Sequence, residues 1–400
     1  MAKILVEDPE EQTKVPFLRG ILIRSLQDAG LSFKDAYRFA SDIRSELGDA
    51  PLITNYALHK MVLKRLQATS GDAIANRYVE HNLPYTIMVE QRDGQLTPFS
   101  RLEYQHCLET IGLESGEASN FVALLHKHLT DRHVEKITSR RLGQLTYRYL
   151  RQSRALGPAV AQRWLVWRDF AHSGRPLIFL IGGTAGCGKS TTATMLANRL
   201  DIVRTQSTDM LREVMRTMLP KQLMPVLHTS SFTAWTALPG HPEKGSEVSD
   251  VQLIHGYRSQ ADLLSVAIEA VIQRALRERV SLILEGVHIH PAFVEKLKQK
   301  LGSRGDEVLV PVMLGVLKRK WLQGRISGRS TNVPQRRSER YLEHFDEIWR
   351  LQSHLLSEAD RANIPIVVHR DRNKVFSEIM RITIERLQQD FTGSPKEVFS

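Results

Sequence analysis

The sequence has 400 residues, of which 42% are hydrophobic and 25% are charged, which is typical of a globular protein with room for two or three domains. Two cysteines are too few for a disulfide framework, and the chain shows neither a secretory signal nor an apolar run of roughly 20 residues, so we expect a cytoplasmic protein without a membrane segment. The formal net charge of +11 favours anionic partners, among them phosphorylated metabolites and nucleic acid.

Residues 1–150 predict a mainly helical domain with an internal repeat. In each copy a helix ends at a glycine, and a second amphipathic helix follows it. The stretch PYTIMVEQRDG ends in a turn-prone pair and predicts a small hairpin or an edge strand. The residues that match at a constant offset are Pro16 and Pro98, Phe17 and Phe99, Arg19 and Arg101, Leu26 and Leu108, Gly30 and Gly112, Leu31 and Leu113, Ala36 and Ala118, Phe39 and Phe121, and Leu47 and Leu129.

This repeat has two interpretations. The matched apolar residues carry no chemistry, which favours a duplicated helical packing unit. The unit also resembles the ATP-cone, a small helical domain in which a basic start and a following helix pair hold a regulatory nucleotide. The resemblance implies that Lys14 and Arg19 contact phosphate in the first copy, whereas the second copy keeps Arg101 but is otherwise less basic there.

Residues 151–175 predict a connecting helix that ends at Gly174, with Pro176 just beyond it. In residues 176–392, short apolar runs alternate with amphipathic helices, which predicts an α/β domain with a parallel sheet flanked by helices, followed by a tail at 393–400. The long interval 220–250 is typical of a functional lid. The predicted strands are PLIFLIGG, DIVRTQ, SLILEG, EVLVPVMLGV and IPIVVH, and the predicted helices begin near Lys189, Asp209, Val251, Pro291, Lys318, Arg336 and Lys374.

The segment IGGTAGCGKST matches the phosphate-binding pattern G-x-x-x-x-G-K-[ST] between a predicted strand and a predicted helix. In such a loop the backbone N–H groups and the helix N-terminus surround phosphate oxygens. We expect Lys189 to hold the β- and γ-phosphates of ATP and Ser190 to bind Mg²⁺. The predicted nucleotide-binding residues are Gly183, Thr184, Ala185, Gly186, Cys187, Gly188, Lys189, Ser190 and Thr191.

The next predicted strand ends at a candidate acceptor site. Helical spacing places Asp209, Arg212 and Arg216 on one face, where a carboxylate orients or deprotonates a hydroxyl and two guanidinium groups bind an anion. The alternative is a capping aspartate beside two solvated arginines. Farther along, Ser230, Tyr257 and Arg258 either line the acceptor pocket or serve as local turn and cap residues.

The segment SLILEGVHIHP predicts a strand that ends at Glu285, a second candidate ligand of Mg²⁺ or of its water molecules. His288 and His290 alternate and therefore point to opposite faces, which disfavours a metal site built from them and favours surface or core histidines.

A basic run follows, from which we expect Arg325 and Arg329 to close over the transferring phosphoryl group. Because only Trp321 and Tyr341 bracket this run, nucleic-acid binding is disfavoured.

Several segments together resemble 2-phosphoglycerate kinases over nearly the whole chain. They include IGGTAGCGKST, STDMLREVMR, HTSSFTAW, SVAIEAVIQRAL, SLILEGVHIHP and RYLEHFDEIWRLQ, and an N-terminal PF-x-RG stretch at Pro16–Gly20. The resemblance implies a P-loop kinase domain of the nucleoside-kinase or shikimate-kinase type behind an ATP-cone-like region. It further implies Mg²⁺-dependent transfer of the γ-phosphoryl group of ATP to the 3-hydroxyl of 2-phosphoglycerate, giving 2,3-bisphosphoglycerate.

The alternatives are a kinase for another phosphorylated metabolite such as an inositol phosphate, a regulatory ATP-binding switch without metabolite turnover, and a 5′-hydroxyl kinase of nucleic acid. The sequence leaves homo-oligomerisation open.

Overall fold

The computed structural model describes residues 4–8, 13–48, 52–82, 87–132, 134–240, 248–301, 307–328, 338–391 and 393–399. The chain forms two compact units, Met1–Met88 and Val89–Ser400.

The first unit combines a small sheet with four helices. Its middle strand β1 is antiparallel to β2 and parallel to β3, which gives the order β2-β1-β3. Leu26, Ile43 and Leu66 are fully buried between the helices. The elements are β1 Leu5–Asp8, β2 Thr13–Pro16, α1 Arg19–Asp28, α2 Phe33–Glu46, β3 Leu52–Thr54, α3 Asn55–Ser70 and α4 Asp72–Asn82.

The second copy of the repeat has the same succession of elements, and its sheet has the equivalent order β5-β4-β6. The two predicted helix pairs and the predicted hairpin are confirmed. The duplication also includes a third strand, which is too short to show periodicity, and a third helix, which lies beyond the last matched residues, Leu47 and Leu129. The elements are β4 Met88–Glu90, β5 Leu96–Pro98, α5 Arg101–Glu109, α6 Ser115–Asp131, β6 Lys136–Thr138 and α7 Ser139–Gln152.

Helix α8, Gly157–Ser173, lies in the segment predicted to connect two domains at 151–175. The compact units divide near residue 88, whereas the sequence predicted a boundary near residue 150. The reason is a set of contacts between the second repeat and the rest of its unit. Trp164 Nε1 donates to the carbonyl of Gly143 at 3.2 Å, and the buried Glu109 pairs with Arg199 at 2.9 Å.

A five-stranded, wholly parallel sheet forms the centre of the second unit. All five predicted strands are present, each shorter than its predicted run, and β8 ends one residue beyond DIVRTQ, at Ser207. Register pairs Glu285 with both Ile181 and Ser207, so three strands end side by side at one edge. In the order β11-β10-β7-β9-β8, the strands are β7 Leu177–Gly182, β8 Arg204–Ser207, β9 Leu282–Glu285, β10 Val308–Gly315 and β11 Ile366–Val368.

Helices cover both faces of this sheet, which confirms the predicted α/β class. One face packs Phe179 against Leu196 and Phe376, and the other packs Leu180 against Leu264 and Leu297. The helices are α9 Lys189–Leu200, α10 Thr208–Met218, α11 Asp250–Arg277, α12 Pro291–Leu301, α13 Arg319–Ser327, α14 Ser338–Glu343, α15 Phe345–Arg361, α16 Arg372–Leu387 and α17 Pro395–Val398.

Two short 3₁₀ helices, Pro225–His228 and Ala234–Ala237, lie among the described residues of the long 220–250 interval. None of the helices in the described ranges combines the length and the apolar character that a lipid bilayer requires.

Candidate active site

The predicted phosphate-binding loop joins β7 to α9. Lys189 is only 9% exposed, and its Nζ donates to the carbonyl of Thr184 at 2.8 Å. Among the described residues, no carboxylate lies within 4.0 Å of this ammonium group, although buried cations in proteins normally have an anionic partner. The loop therefore presents an uncompensated positive charge at a helix N-terminus, which fits a bound phosphate.

Gly188 shows how tightly this loop is packed. Its φ is +89°, and a Cβ at this position would lie 2.8 Å from the ring of His369. Glycine alone satisfies both constraints. On the inner side, the thiol of the buried Cys187 donates to Gln352 Oε1 at 3.2 Å, and Gln352 also exchanges two 3.0 Å hydrogen bonds with the backbone of Val316. Cys187 is thus a small packed side chain that anchors the loop to α15.

The two predicted metal ligands lie next to each other. Ser190 Oγ donates to Glu285 Oε1 at 2.8 Å, and Glu285 is 8% exposed. A hydroxyl and a carboxylate oxygen are the ligand types that Mg²⁺ prefers. The described residues contain no group of three or more His, Cys, Asp or Glu side chains able to hold a metal by themselves. A cation at this pair would therefore complete its shell with phosphate oxygens and water, as Mg²⁺ does in kinases.

Asp209 lies at the start of α10, one turn from the same edge of the sheet. The helix cap is Ser207, whose side chain accepts from the backbone N–H of Asp209 at 3.2 Å, so the capping role considered for Asp209 belongs to its neighbour. The Asp209 carboxylate is exposed and has no hydrogen-bond or ion-pair partner in the described ranges. It is free to meet an acceptor hydroxyl.

The two predicted anion-binding arginines have different surroundings. Arg212 is 17% exposed at its side chain, and its Nη1 donates to the carbonyl of Thr229 at 3.0 Å. Its Nη2 lies 3.5 Å from Glu213 Oε1, and its buried Nε has no hydrogen-bond acceptor among the described residues. Arg216 is 46% exposed and pairs with Glu213 at 2.6 Å. Arg212 is therefore better placed to bind an acceptor anion, and Arg216 lies in a surface ion pair.

A buried polar chain lies beneath these residues. His288 Nδ1 is 2.9 Å from Thr208 Oγ1, and its Nε2 is 3.0 Å from Gln260 Oε1. Gln260 Nε2 in turn donates to the carbonyls of Val226 and Thr229. Burial lowers the pKa of His288 to about 4, with smaller contributions from nearby charges. The sequence predicted His288 as a surface or core residue and gave no role to Thr208, which lies within STDMLREVMR, or to Gln260.

The three residues proposed to line the acceptor pocket have separate hydrogen-bond partners. The backbone N–H of Ser230 donates to Thr233 Oγ1, and the Thr233 hydroxyl donates to the Ser230 carbonyl. In the same loop, the ring centroid of Phe232 lies 5.5 Å from that of Tyr341 in α14. Tyr257 is fully buried and donates to the carbonyl of Val287 at 2.7 Å.

Arg258, the third of these residues, pairs with Glu358 and bonds to His290 Nδ1 at 3.0 Å. Tyr257 and Arg258 thus bind residues of the β9–α12 connection and of α15, and a role for them in an acceptor pocket stays a prediction.

Arg325 is the predicted lid arginine that lies in the described chain. Its Nη2 donates at 2.7 Å to the carbonyl of His369, the residue whose ring touches Gly188. This places α13 beside the phosphate-binding loop. Arg329 lies outside the described residues. Arg319 of the same run forms an ion pair with Asp346.

Of the predicted nucleotide contacts of the N-terminal repeat, Arg19 and Arg101 occupy equivalent positions in the two copies, whereas Lys14 is matched by Leu96. Lys14 forms an exposed ion pair with Glu7 at 3.2 Å. Arg19 is exposed at the first position of α1, and Arg101 opens α5 with a 3.5 Å contact to His126. A regulatory nucleotide at these residues stays a prediction.

Comparison with known proteins places this chain in a family. The 2-phosphoglycerate kinase of Pyrococcus horikoshii is 32% identical over 302 residues, which are 74% of this chain and 95% of that protein. The enzymes of the same name from Pyrococcus furiosus and Thermococcus kodakarensis are both 33% identical, covering 75% and 73% of this chain and 94% of each relative. This chain belongs to the 2-phosphoglycerate kinase family. As a member of that family it is a kinase, which confirms the resemblance predicted from the sequence.

No family model matches the chain. A solved shikimate kinase from Acinetobacter baumannii, in complex with shikimate, aligns with 52% of this chain and 93% of its own at 15% identity and a TM-score of 0.29. A similarity this weak supports no conclusion about activity, and the α/β class stands on the sheet and its helices.

Proposed function

We propose that this kinase transfers the γ-phosphoryl group of ATP to a hydroxyl of a small phosphorylated acid, and that the acid is 2-phosphoglycerate, giving 2,3-bisphosphoglycerate. One observation carries the proposal. The buried Lys189, the Ser190–Glu285 pair and Asp209 lie at strand ends that are side by side, and neither Lys189 nor Asp209 has an ion-pair partner among the described residues. The substrate is the one named for the curated relatives.

The roles follow from this arrangement. The loop amides and Lys189 bind the β- and γ-phosphates and neutralise the charge that develops as the phosphoryl group moves. Ser190 and Glu285 hold Mg²⁺, which, when bound, screens the phosphate charge. Arg212 binds the carboxylate or phosphate of the acceptor. Arg325 lies close to the phosphate-binding loop and stabilises the transferring phosphoryl group from the side of α13.

The reaction itself asks for positioning more than covalent chemistry. The acceptor hydroxyl oxygen forms a bond to the γ-phosphorus while the bond from that phosphorus to the bridging oxygen of ADP breaks. The hydroxyl proton passes to the carboxylate of Asp209, which orients the oxygen beforehand.

The test is ADP release measured with separate acceptors in the presence of MgATP. The panel contains 2-phosphoglycerate, 3-phosphoglycerate, phosphorylated sugars, inositol phosphates and oligonucleotides. We expect 2-phosphoglycerate to stimulate ADP release most strongly. Preference for an inositol phosphate or an oligonucleotide would replace the acceptor, and ATP binding without acceptor-dependent release would favour a regulatory protein.

A further inference from the structure

The hydrogen-bond directions around His288 are fixed by its neighbours. The amide nitrogen of Gln260 faces two backbone carbonyls, those of Val226 and Thr229, which can only accept. Gln260 Oε1 therefore faces His288 Nε2 as an acceptor, so Nε2 carries the proton. His288 Nδ1 is then the acceptor, and the Thr208 hydroxyl donates to it.

The hydrogen-bonded series Thr208–His288–Gln260 reaches the acceptor side of the site at both of its ends. Thr208 is the first residue of α10 and directly precedes Asp209, the candidate base. At the other end, the carbonyl of Thr229 accepts from Gln260 at 3.1 Å and from Arg212 at 3.0 Å. One imidazole ring therefore connects the backbone that carries the candidate base with the carbonyl that holds the candidate anion-binding guanidinium.

Gly286 makes room for this connection. A Cβ at Gly286 would overlap the hydroxyl of Thr208, so only glycine lets α10 approach the end of β9 this closely. The approach brings Thr208 against the residue that follows Glu285, the candidate metal ligand.

We propose that His288, held neutral with its proton on Nε2, is a positioning residue that fixes the start of α10 at Asp209 and the guanidinium group of Arg212 relative to the end of β9. The proposal rests on the acceptor site proposed above and extends it to a residue that touches neither substrate. A buried network with every member satisfied favours one geometry over others, because any displaced partner leaves an unpaired polar group. The lowered pKa of the ring agrees with a neutral state near pH 7.

The two ring nitrogens can be removed one at a time. An asparagine carbonyl reaches the position of Nδ1, so His288→Asn keeps the acceptor for Thr208 and loses the donor to Gln260. A glutamine amide reaches the position of Nε2, so His288→Gln keeps the donor to Gln260 and loses the acceptor for Thr208. His290→Asn is the matched control, because His290 is equally buried and lies outside this network.

Steady-state kinetics with ATP and the proposed acceptor, 2-phosphoglycerate, distinguish these roles. We expect His288→Asn to raise the KM for the acceptor about 10-fold or more with a smaller change in kcat, because Arg212 loses its support. We expect His288→Gln to lower kcat by about 10-fold or more, because Asp209 loses its support. The KM for ATP should stay within about twofold in both variants, and His290→Asn should change none of the three constants. Equal effects of all three variants, or a parallel rise in the KM for ATP, would overturn the proposal.

A second readout separates this proposal from the proposed function. NMR of the full chain labelled with ¹⁵N-histidine, with the His288 signals assigned by their loss in His288→Asn, reports the ring state without turnover. We expect a neutral ring protonated at Nε2 at pH 7. If wild-type protein does not phosphorylate 2-phosphoglycerate, the proposed acceptor is wrong. The protonation state of the His288 ring still tests the role proposed for His288. An imidazolium ring or a proton on Nδ1 would contradict it.

Discussion

Ser190 Oγ donates a 2.8 Å hydrogen bond to Glu285 Oε1, and this bond joins the first turn of α9 to the end of β9. It places a hydroxyl and a carboxylate at one point where the phosphate-binding loop opens. Two such oxygens beside a buried lysine that has no carboxylate partner in the described part of the chain fit the proposed Mg²⁺ bound to phosphate.

Glu285→Gln keeps an acceptor for Ser190 but removes the negative charge. We expect the Mg²⁺ concentration that gives half-maximal activity to rise about 10- to 100-fold, because a neutral amide is a poor ligand for a hard cation. Activity measured against Mg²⁺ concentration checks this. The exposed Glu295 of α12 provides the control, and Glu295→Gln should leave the Mg²⁺ dependence unchanged. An unchanged Mg²⁺ requirement in Glu285→Gln would remove this residue from the metal site.

Lys189→Met should change the stability of the protein without ligand and its binding of MgATP in opposite directions. Removing a buried charge without an anionic partner should raise the free energy of unfolding without ligand by about 1 kcal/mol. Wild-type protein should gain about 2.7 kcal/mol from MgATP at 100 times its Kd, and the variant should lose this gain. Thermal unfolding with and without MgATP measures both effects. The exposed Lys296 supplies the control Lys296→Met, which should keep the full ligand effect. A full ligand effect in Lys189→Met would contradict the assignment.

Much of this site could be predicted because its signals are local. The phosphate-binding loop lies within eleven consecutive residues, and β7, β9 and β10 are continuous apolar runs of the kind that buried parallel strands require. The succession of strand, loop and helix also fixed where Lys189 and Glu285 lie. These features need no information from distant segments of the chain.

Other features depend on residues far away in the sequence. The hydrogen bonds of Tyr257 and Arg258 could not be predicted, because their partners, Val287 and Glu358, lie 30 and 100 residues away. His288 acquires its role from Gln260, 28 residues earlier. The three-stranded sheets of the repeat were not predicted, because strands as short as β3 and β6 show no clear alternation of apolar and polar residues.

Arg212 and Arg216 should differ in their importance for the acceptor. We expect Arg212→Lys to raise the KM for the acceptor acid about 10-fold, because a lysine cannot replace a fork that binds both Thr229 and an anion. Arg216→Lys should change this constant less than about threefold, because exposed ion pairs contribute little. Initial rates at varied acceptor concentration check the difference. A larger effect at Arg216 would reverse the assignment of the anion-binding residue.

Buried histidines should make stability depend on pH. Burial lowers the pKa of His288 to about 4 and that of His290 to about 3, from an ordinary 6.5. Between these values and 6.5 the unfolded chain binds protons that the folded chain does not, so stability is present above pH 6.5 and falls as the pH drops. Each histidine should contribute about 1.4 kcal/mol per pH unit.

Urea unfolding at pH 7, 6 and 5 measures this slope. His290→Asn removes one of the two groups and should make the loss of stability between pH 6 and 5 shallower by about that amount. A slope equal to that of the wild-type protein would show that His290 is protonated in the folded state.

Gly286→Ala should damage the site through backbone displacement. The added methyl group overlaps Thr208, so α10 must move away from β9. We expect a loss of about 2 kcal/mol or more in the free energy of unfolding, together with a fall in kcat. Gly116→Ala in α6 is the control, because nothing lies within 4 Å of its Cβ position, and it should be neutral or slightly stabilising. Equal stability of the two variants would contradict the close approach.

The most direct test of phosphoryl transfer is ³¹P NMR of a reaction containing ATP, Mg²⁺ and 2-phosphoglycerate, with wild-type protein and with Asp209→Asn. Wild-type protein should produce ADP and 2,3-bisphosphoglycerate in equal molar amounts, and the product should give two phosphomonoester signals. Asp209→Asn should bind MgATP with an affinity close to that of the wild-type protein while forming the product at least about 100-fold more slowly. ADP without a new phosphomonoester in the wild-type reaction, or wild-type rates in Asp209→Asn, would contradict the account.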